Sequence, residues 1–127
     1  MTKQQKAKLQ QIGAWGEDLA ADYVEYLGWQ IVERNWRCSG GEIDIIAIDH
    51  SGGSSVGVII EVKTRRGTRF GTPLEAITAA KYSRLRRLAS EWARTTDIKL
   101  DGLRVDVVGI LIRAGESPQI SHIRGDR

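Results

Sequence analysis

Two stretches, Glu42-Ile43-Asp44-Ile45-Ile46-Ala47-Ile48-Asp49 and Val56-Gly57-Val58-Ile59-Ile60-Glu61-Val62-Lys63-Thr64, decide how this chain folds. Each is apolar at both parities, so each reads as a strand covered on both faces. Between them, Ser51-Gly52-Gly53-Ser54-Ser55 has the composition of a turn and is short enough for an antiparallel pair. Upstream, Trp29 to Trp36 is a third strand candidate, joined through the turn Ser39-Gly40-Gly41. A covered sheet needs helices, and the chain supplies one on each side. Leu9, Ile12, Gly16, Leu19, Ala20, Tyr23 and Leu27 recur at three- and four-residue steps in a helix from about Gln4 to Leu27, stopped by Gly28. Gly13 and Gly16 weaken that helix, which implies close approach of another element. Pro73 opens a second helix, from about Leu74 to Arg94, with Leu74, Ile77, Leu85, Leu88 and Trp92 on one face. Leu103 to Ile112 is the next strand, and Gln119 to Arg124 a short edge strand. The order is αβββαβ with a small extra strand: an α/β fold, a mixed sheet flanked by helices.

The 127 residues make one domain, with 1–8 and 125–127 expected to be its least ordered parts. Hydrophobic residues at 41% and charged residues at 28% are a globular balance. No uncharged stretch approaches the roughly 18–20 residues of a membrane span, and Met1 to Gln11 has lysines with no apolar block behind them. With a single cysteine, Cys38, a cytoplasmic protein without membrane association is expected. No GxxxxGK loop is present, so no nucleotide cofactor is implied. The net charge of +3 hides an asymmetry. From Lys63 to Arg94, nine basic side chains face only Glu75 and Glu91, a net +7 that leaves −4 on the remainder. A local excess of that size suggests a polyanion partner.

The chemistry lies in carboxylates set inside apolar strands. A buried carboxylate without a partner costs several kcal/mol, so Asp44 and Glu61 need a cation, a metal or hydrogen bonds. Glu61 and Lys63 leave the same face of their strand, and Arg65 continues the row. If the hairpin registers align, Asp44, Glu61 and Lys63 converge. Oxygen ligands of this kind, with the exposed carbonyl of Val62, suit Mg²⁺ or Mn²⁺, which would bind a scissile phosphate and activate water.

Asp44 followed by Glu61-Val62-Lys63 on adjacent strands after a helix resembles the D…(D/E)xK signature of the PD-(D/E)XK nuclease superfamily. Four stretches resemble more narrowly the YraN-type family of small bacterial proteins classed as endonucleases. They are Gly13-Ala14-Trp15-Gly16-Glu17-Asp18-Leu19-Ala20, Asn35-Trp36-Arg37, Gly41-Glu42-Ile43-Asp44-Ile45-Ile46-Ala47 and Glu61-Val62-Lys63-Thr64-Arg65. That family is similar in layout to archaeal Holliday-junction resolvases. The resemblance implies a restriction-endonuclease-like fold, with Asp44, Glu61 and Lys63 catalytic and Glu17 helping to hold the metal. It also supports turning Lys81 toward the site, although its place within the apolar stripe of the second helix would equally suit a lysine whose stem lies on the sheet.

The expected activity is metal-dependent hydrolysis of DNA, at branched or junction structures by that likeness. Arg65, Arg66 and Arg69, with Lys81, Arg84 and Arg87, would neutralise phosphates. Trp36 beside Arg37 could stack on a base, although a core role suits Trp15, Trp29, Trp36 and Trp92 alike. The competing expectation is a non-catalytic nucleic-acid-binding module that keeps the fold. So small a nuclease core leaves room for a partner, a second copy included. Glu42 shares a face with Asp44 but opens its strand, Asp106 reads as a structural ion pair, and Cys38 as a small loop residue. His50 and His122 stand alone, without metal-ligand spacing, in loop or edge roles.

Overall fold

The computed structural model describes residues 1–67 and 71–126. It contains helix α1 (Lys3–Tyr26), strands β1 (Gln30–Cys38), β2 (Gly41–Asp49) and β3 (Val56–Arg66), helix α2 (Ala79–Thr95), and strands β4 (Gly102–Ile112) and β5 (Gln119–Ile123). The five strands form one sheet in chain order. β1, β2 and β3 are antiparallel neighbours, β4 runs parallel to β3 after the α2 crossover, and β5 returns antiparallel. This is the mixed α/β sheet that the sequence predicts.

Alternation along β2 and β3 divides two cores. Ala47, Val58, Ile60 and Val62 face α1 and pack with Ala20, Ala21 and Val24. Ile46, Ile48 and Ile59 face α2 and pack with Leu85, Leu88, Ala89 and Trp92. Both parities are apolar because both faces are covered. β3 is longer than expected, since β4 pairs with it as far as Arg66 opposite Ile112.

α1 starts in a capping box formed by Thr2 and Gln5, so residues 3–8 are helical. Its other end is a Schellman motif: the N–H of Gly28, at φ +87°, bonds to Glu25 and that of Trp29 to Val24. Gly16 allows the close approach expected of it, because a Cβ there would collide with Thr64 of β3. Gly13 does not, since open space surrounds it. The expected apolar stripe is covered only over its second half: every residue from Met1 to Gln11 is exposed. The second helix also departs from expectation. Leu74–Ala76 is a 3₁₀ turn, Ile77 is extended, and α2 starts only after Thr78, whose side chain accepts the Lys81 N–H.

Candidate metal and phosphate site

The sheet forks at one point, and the candidate site sits in the fork. β2 and β3 pair from Asp49 opposite Val56 to Ile45 opposite Ile60, and no further. Beyond that, residues 41–43 of β2 pair with β1 while residues 61–66 of β3 pair with β4. Asp44 is the first residue past the divergence, opposite Glu61. Its Oδ2 accepts the Val62 N–H at 2.8 Å, taking over a backbone donor that the parting strands leave behind. The cause lies partly in β1. Arg34 pairs with Ile45 and Trp36 with Ile43, which sets Asn35 opposite Asp44. Asn35 has φ +53°, a left-handed conformation that asparagine tolerates better than most residues. The alternation slips there, so Ile43 packs on the α2 side and Ile45 on the α1 side. Asn35 lies in one of the four family-like stretches, but nothing in the sequence marked its left-handed backbone or its place opposite Asp44.

On the α2 side, Glu61 and Lys63 stand two residues apart with Nζ and Oε1 separated by 3.2 Å, both mostly buried. A cleft of about 240 Å³ is lined there by Glu42, Asp44, Glu61 and Lys63 from the sheet and by Lys81 and Arg84 from α2. Thr78 starts α2 at a point that brings Lys81 over the carboxylates. Arg84 lies against Gly41, where a Cβ would meet its guanidinium at 2.9 Å. On the α1 side a groove of about 570 Å³ reaches the same carboxylates past Glu17, Arg65 and Arg66. The fork is thus reached from both faces.

Two carboxylates of the fork, Asp44 and Glu17, are poorly compensated. Burial, reinforced by the charge of Glu61, pushes Asp44 up to about 7. Burial also raises Glu17, against the pull of Arg34, and its buried Oε1 has no hydrogen-bond partner. The residues present suit a small hard cation: the donors are all oxygens and one is orphaned. Among the described residues no three such side chains lie together as a closed cage. Mg²⁺ commonly binds through one or two carboxylates and keeps its waters, so two carboxylates and the Val62 carbonyl meet its needs.

The remaining expected contacts are scattered. Arg37 pairs with Glu42 at 3.2 Å, both exposed. The Arg65 guanidinium donates to the Thr64 carbonyl. Arg87 is exposed on α2, and Arg69 lies outside the described residues. Trp29 and Trp92 are core, Trp36 is half-buried, and Trp15 departs from expectation at 44% exposed. Cys38, at the end of β1, donates to Glu91.

Asp106 is completely buried and held by Arg104, as an ion pair requires. His122 is not isolated: it links Asp106 to the Tyr23 hydroxyl, and its side chain is 8% exposed. Sequence separation hid this network, because its members come from α1, β4 and β5.

A model of the family described as "Uncharacterised protein family UPF0102" matches residues 16–110, which hold every residue of the fork. The chain belongs to the UPF0102 family. Relatives bearing the UPF0102 name include one from Arthrobacter sp. (strain FB24), 50% identical across 90% of this chain and 93% of its own length. Another, from Renibacterium salmoninarum, is 49% identical across 91% of this chain and 94% of its own. A third, from Nocardioides sp., is 44% identical across 98% of both. This UPF0102 chain has no helix, among its described residues, long and apolar enough to cross a membrane.

Proposed function

We propose that this protein is a nuclease core of the PD-(D/E)XK type that hydrolyses phosphodiester bonds in DNA with the help of Mg²⁺ or Mn²⁺. The observation that carries the reading is the fork. It sets Asp44 and Glu61 side by side with Lys63 in a cleft walled by Lys81 and Arg84. Asp44, Glu61 and the Val62 carbonyl would hold the cation, with Glu17 as an outer ligand. When bound, the ion supplies positive charge to the scissile phosphate and acidifies a water.

The chain's own groups do the rest. Lys63, kept in place by Glu61, orients the attacking water and opposes the negative charge that grows on the phosphate oxygens. Lys81, Arg84 and Arg87 neutralise flanking phosphates, which positions the DNA without reading its sequence. The likeness in layout to junction resolvases makes branched DNA the substrate to try first.

The test is incubation of the protein with linear, flapped and four-way-junction DNA, with Mn²⁺ and with EDTA, beside Lys63→Ala. Cleavage that requires Mn²⁺ and is lost in Lys63→Ala supports the reading. Binding that ignores EDTA, with no cleavage of any substrate, would leave a nucleic-acid-binding module instead.

A further inference from the structure

The first half of α1 carries apolar side chains that the sheet does not cover. Leu9 is 52% exposed and Trp15 44%. Trp15 lines an apolar groove of about 550 Å³ together with Lys8, Ile12, Arg66 and Ile112, and Leu9 lines the groove beside it that reaches the carboxylates. Ile12 and Arg66 also line the groove that reaches Asp44 and Glu61, so the two are continuous.

Charge says what covers this face. Lys8 from α1 and Arg66 from β3 both line the groove, and its lining among the described residues includes no acidic side chain. The occupant is therefore an anion with a flat apolar part. Paired DNA would use the cations and leave the tryptophan idle, because its bases are stacked on one another. An unpaired nucleotide uses both, placing its base on the indole and its phosphates on the cations.

We infer that this groove docks a single-stranded segment of nucleic acid, with a base stacked on Trp15 and neighbouring phosphates on Lys8 and Arg66. The inference rests on the nuclease reading and sharpens its substrate class: DNA with an unpaired stretch beside the bond that is cut. The unpaired strand runs along α1 into the carboxylate fork.

Fluorescence anisotropy on the full chain in EDTA separates this from the parent reading. The probes are a labelled oligo(dT) of roughly 15 nucleotides, within the span such sites cover, and a blunt duplex. Trp15→Ala should weaken oligo(dT) binding by about five- to a hundredfold, the range for losing one stacked base, and leave duplex binding within about twofold. Trp15→Phe keeps a ring and should recover most of the loss. Because Trp15 is half in solvent, neither variant should alter the far-ultraviolet circular dichroism. Unchanged oligo(dT) affinity in Trp15→Ala, with duplex binding intact, overturns the groove and leaves the nuclease reading standing. If neither probe binds the wild type, both fall. If sedimentation shows self-association of the wild type that Trp15→Ala abolishes, and oligo(dT) affinity does not change, the face belongs to a second copy and the inference is overturned.

Discussion

Replacing Asp44 by asparagine should make the metal-free protein more stable at pH 8 and leave it blind to Mn²⁺. Asparagine keeps the shape and can still accept the Val62 N–H, so only the charge is removed. Burial and the neighbouring Glu61 raise the Asp44 carboxyl from 3.8 to about 7. That is about three units, and at 1.36 kcal/mol per unit the ionised form costs about 4 kcal/mol in the fold. Because the folded value lies above the unfolded one, folding favours the protonated acid. The stability this contributes is complete below pH 3.8 and is lost as pH rises through 7. Wild type and Asp44→Asn should therefore be equally stable near pH 4 in EDTA. At pH 8 the variant should lead by up to about 4 kcal/mol.

Urea denaturation followed by tryptophan fluorescence measures the difference, and titrations common to both proteins cancel. A cation held between Asp44 and Glu61 must displace the proton. Mn²⁺ at about a hundred times its Kd should then stabilise the wild type by about 2.7 kcal/mol. Below pH 7 its affinity should weaken toward tenfold per pH unit, one proton being released. Asp44→Asn should gain nothing from Mn²⁺. Equal stability of the two proteins at pH 8 in EDTA, or equal stabilisation of both by Mn²⁺, would refute the reasoning.

Removing Arg84 and Arg87 together should weaken DNA binding about equally for unrelated sequences, and the slope of log K against log salt should fall by roughly 1 to 2. An unchanged slope in a fluorescence-anisotropy salt series would place the DNA elsewhere, starting with Arg34 and Arg37. Lys63→Ala should bind DNA nearly as well as the wild type while any cleavage falls about a hundredfold or more, which a binding assay and a cleavage gel read separately. Asp106→Asn should destabilise the fold by about 3–5 kcal/mol, measured by chemical denaturation, because it leaves Arg104 buried with its main counter-charge gone.

The strands were legible because two covered faces demand apolar residues at both parities, and few other arrangements tolerate Ile43 to Ile48 or Val58 to Val62. The candidate site was legible for the same reason in reverse: Asp44 and Glu61 break those runs, and only a partner justifies the break. What the sequence hid is where alternation fails. Period-two reasoning assumes an unbroken pleat, and the left-handed backbone at Asn35 breaks it, letting Asp44 reach the Val62 N–H. The start of α2 was misread because Pro73 suits a helix entry as well as a turn, and the Thr78 cap settles it five residues later. The apolar stripe of α1 predicted burial from Leu9 to Leu27, but periodicity describes a helix and not the extent of the sheet beneath it.

Two aspartates of the sheet, Asp106 fully buried and Asp44 partly so, respond to desolvation in opposite ways. Burial tends to raise the Asp106 carboxyl, but His122, Arg104 and the Gly125 N–H together outweigh it and hold it below its usual value. Asp49, at the other end of Arg104, is lowered in the same way, burial being outweighed by Ser51 and Arg104. Their contribution to stability is therefore present above pH 3.8 and lost as pH falls below it. Asp44 faces the same desolvation with one backbone donor, a second carboxylate opposite and a lysine already paired with that carboxylate, and it moves the other way. A fold has no structural reason to keep such a group ionised, since asparagine would satisfy the same Val62 N–H without the charge. The opposite shifts of Asp106 and Asp44 thus separate a carboxylate whose charge the fold pairs from one whose charge it does not.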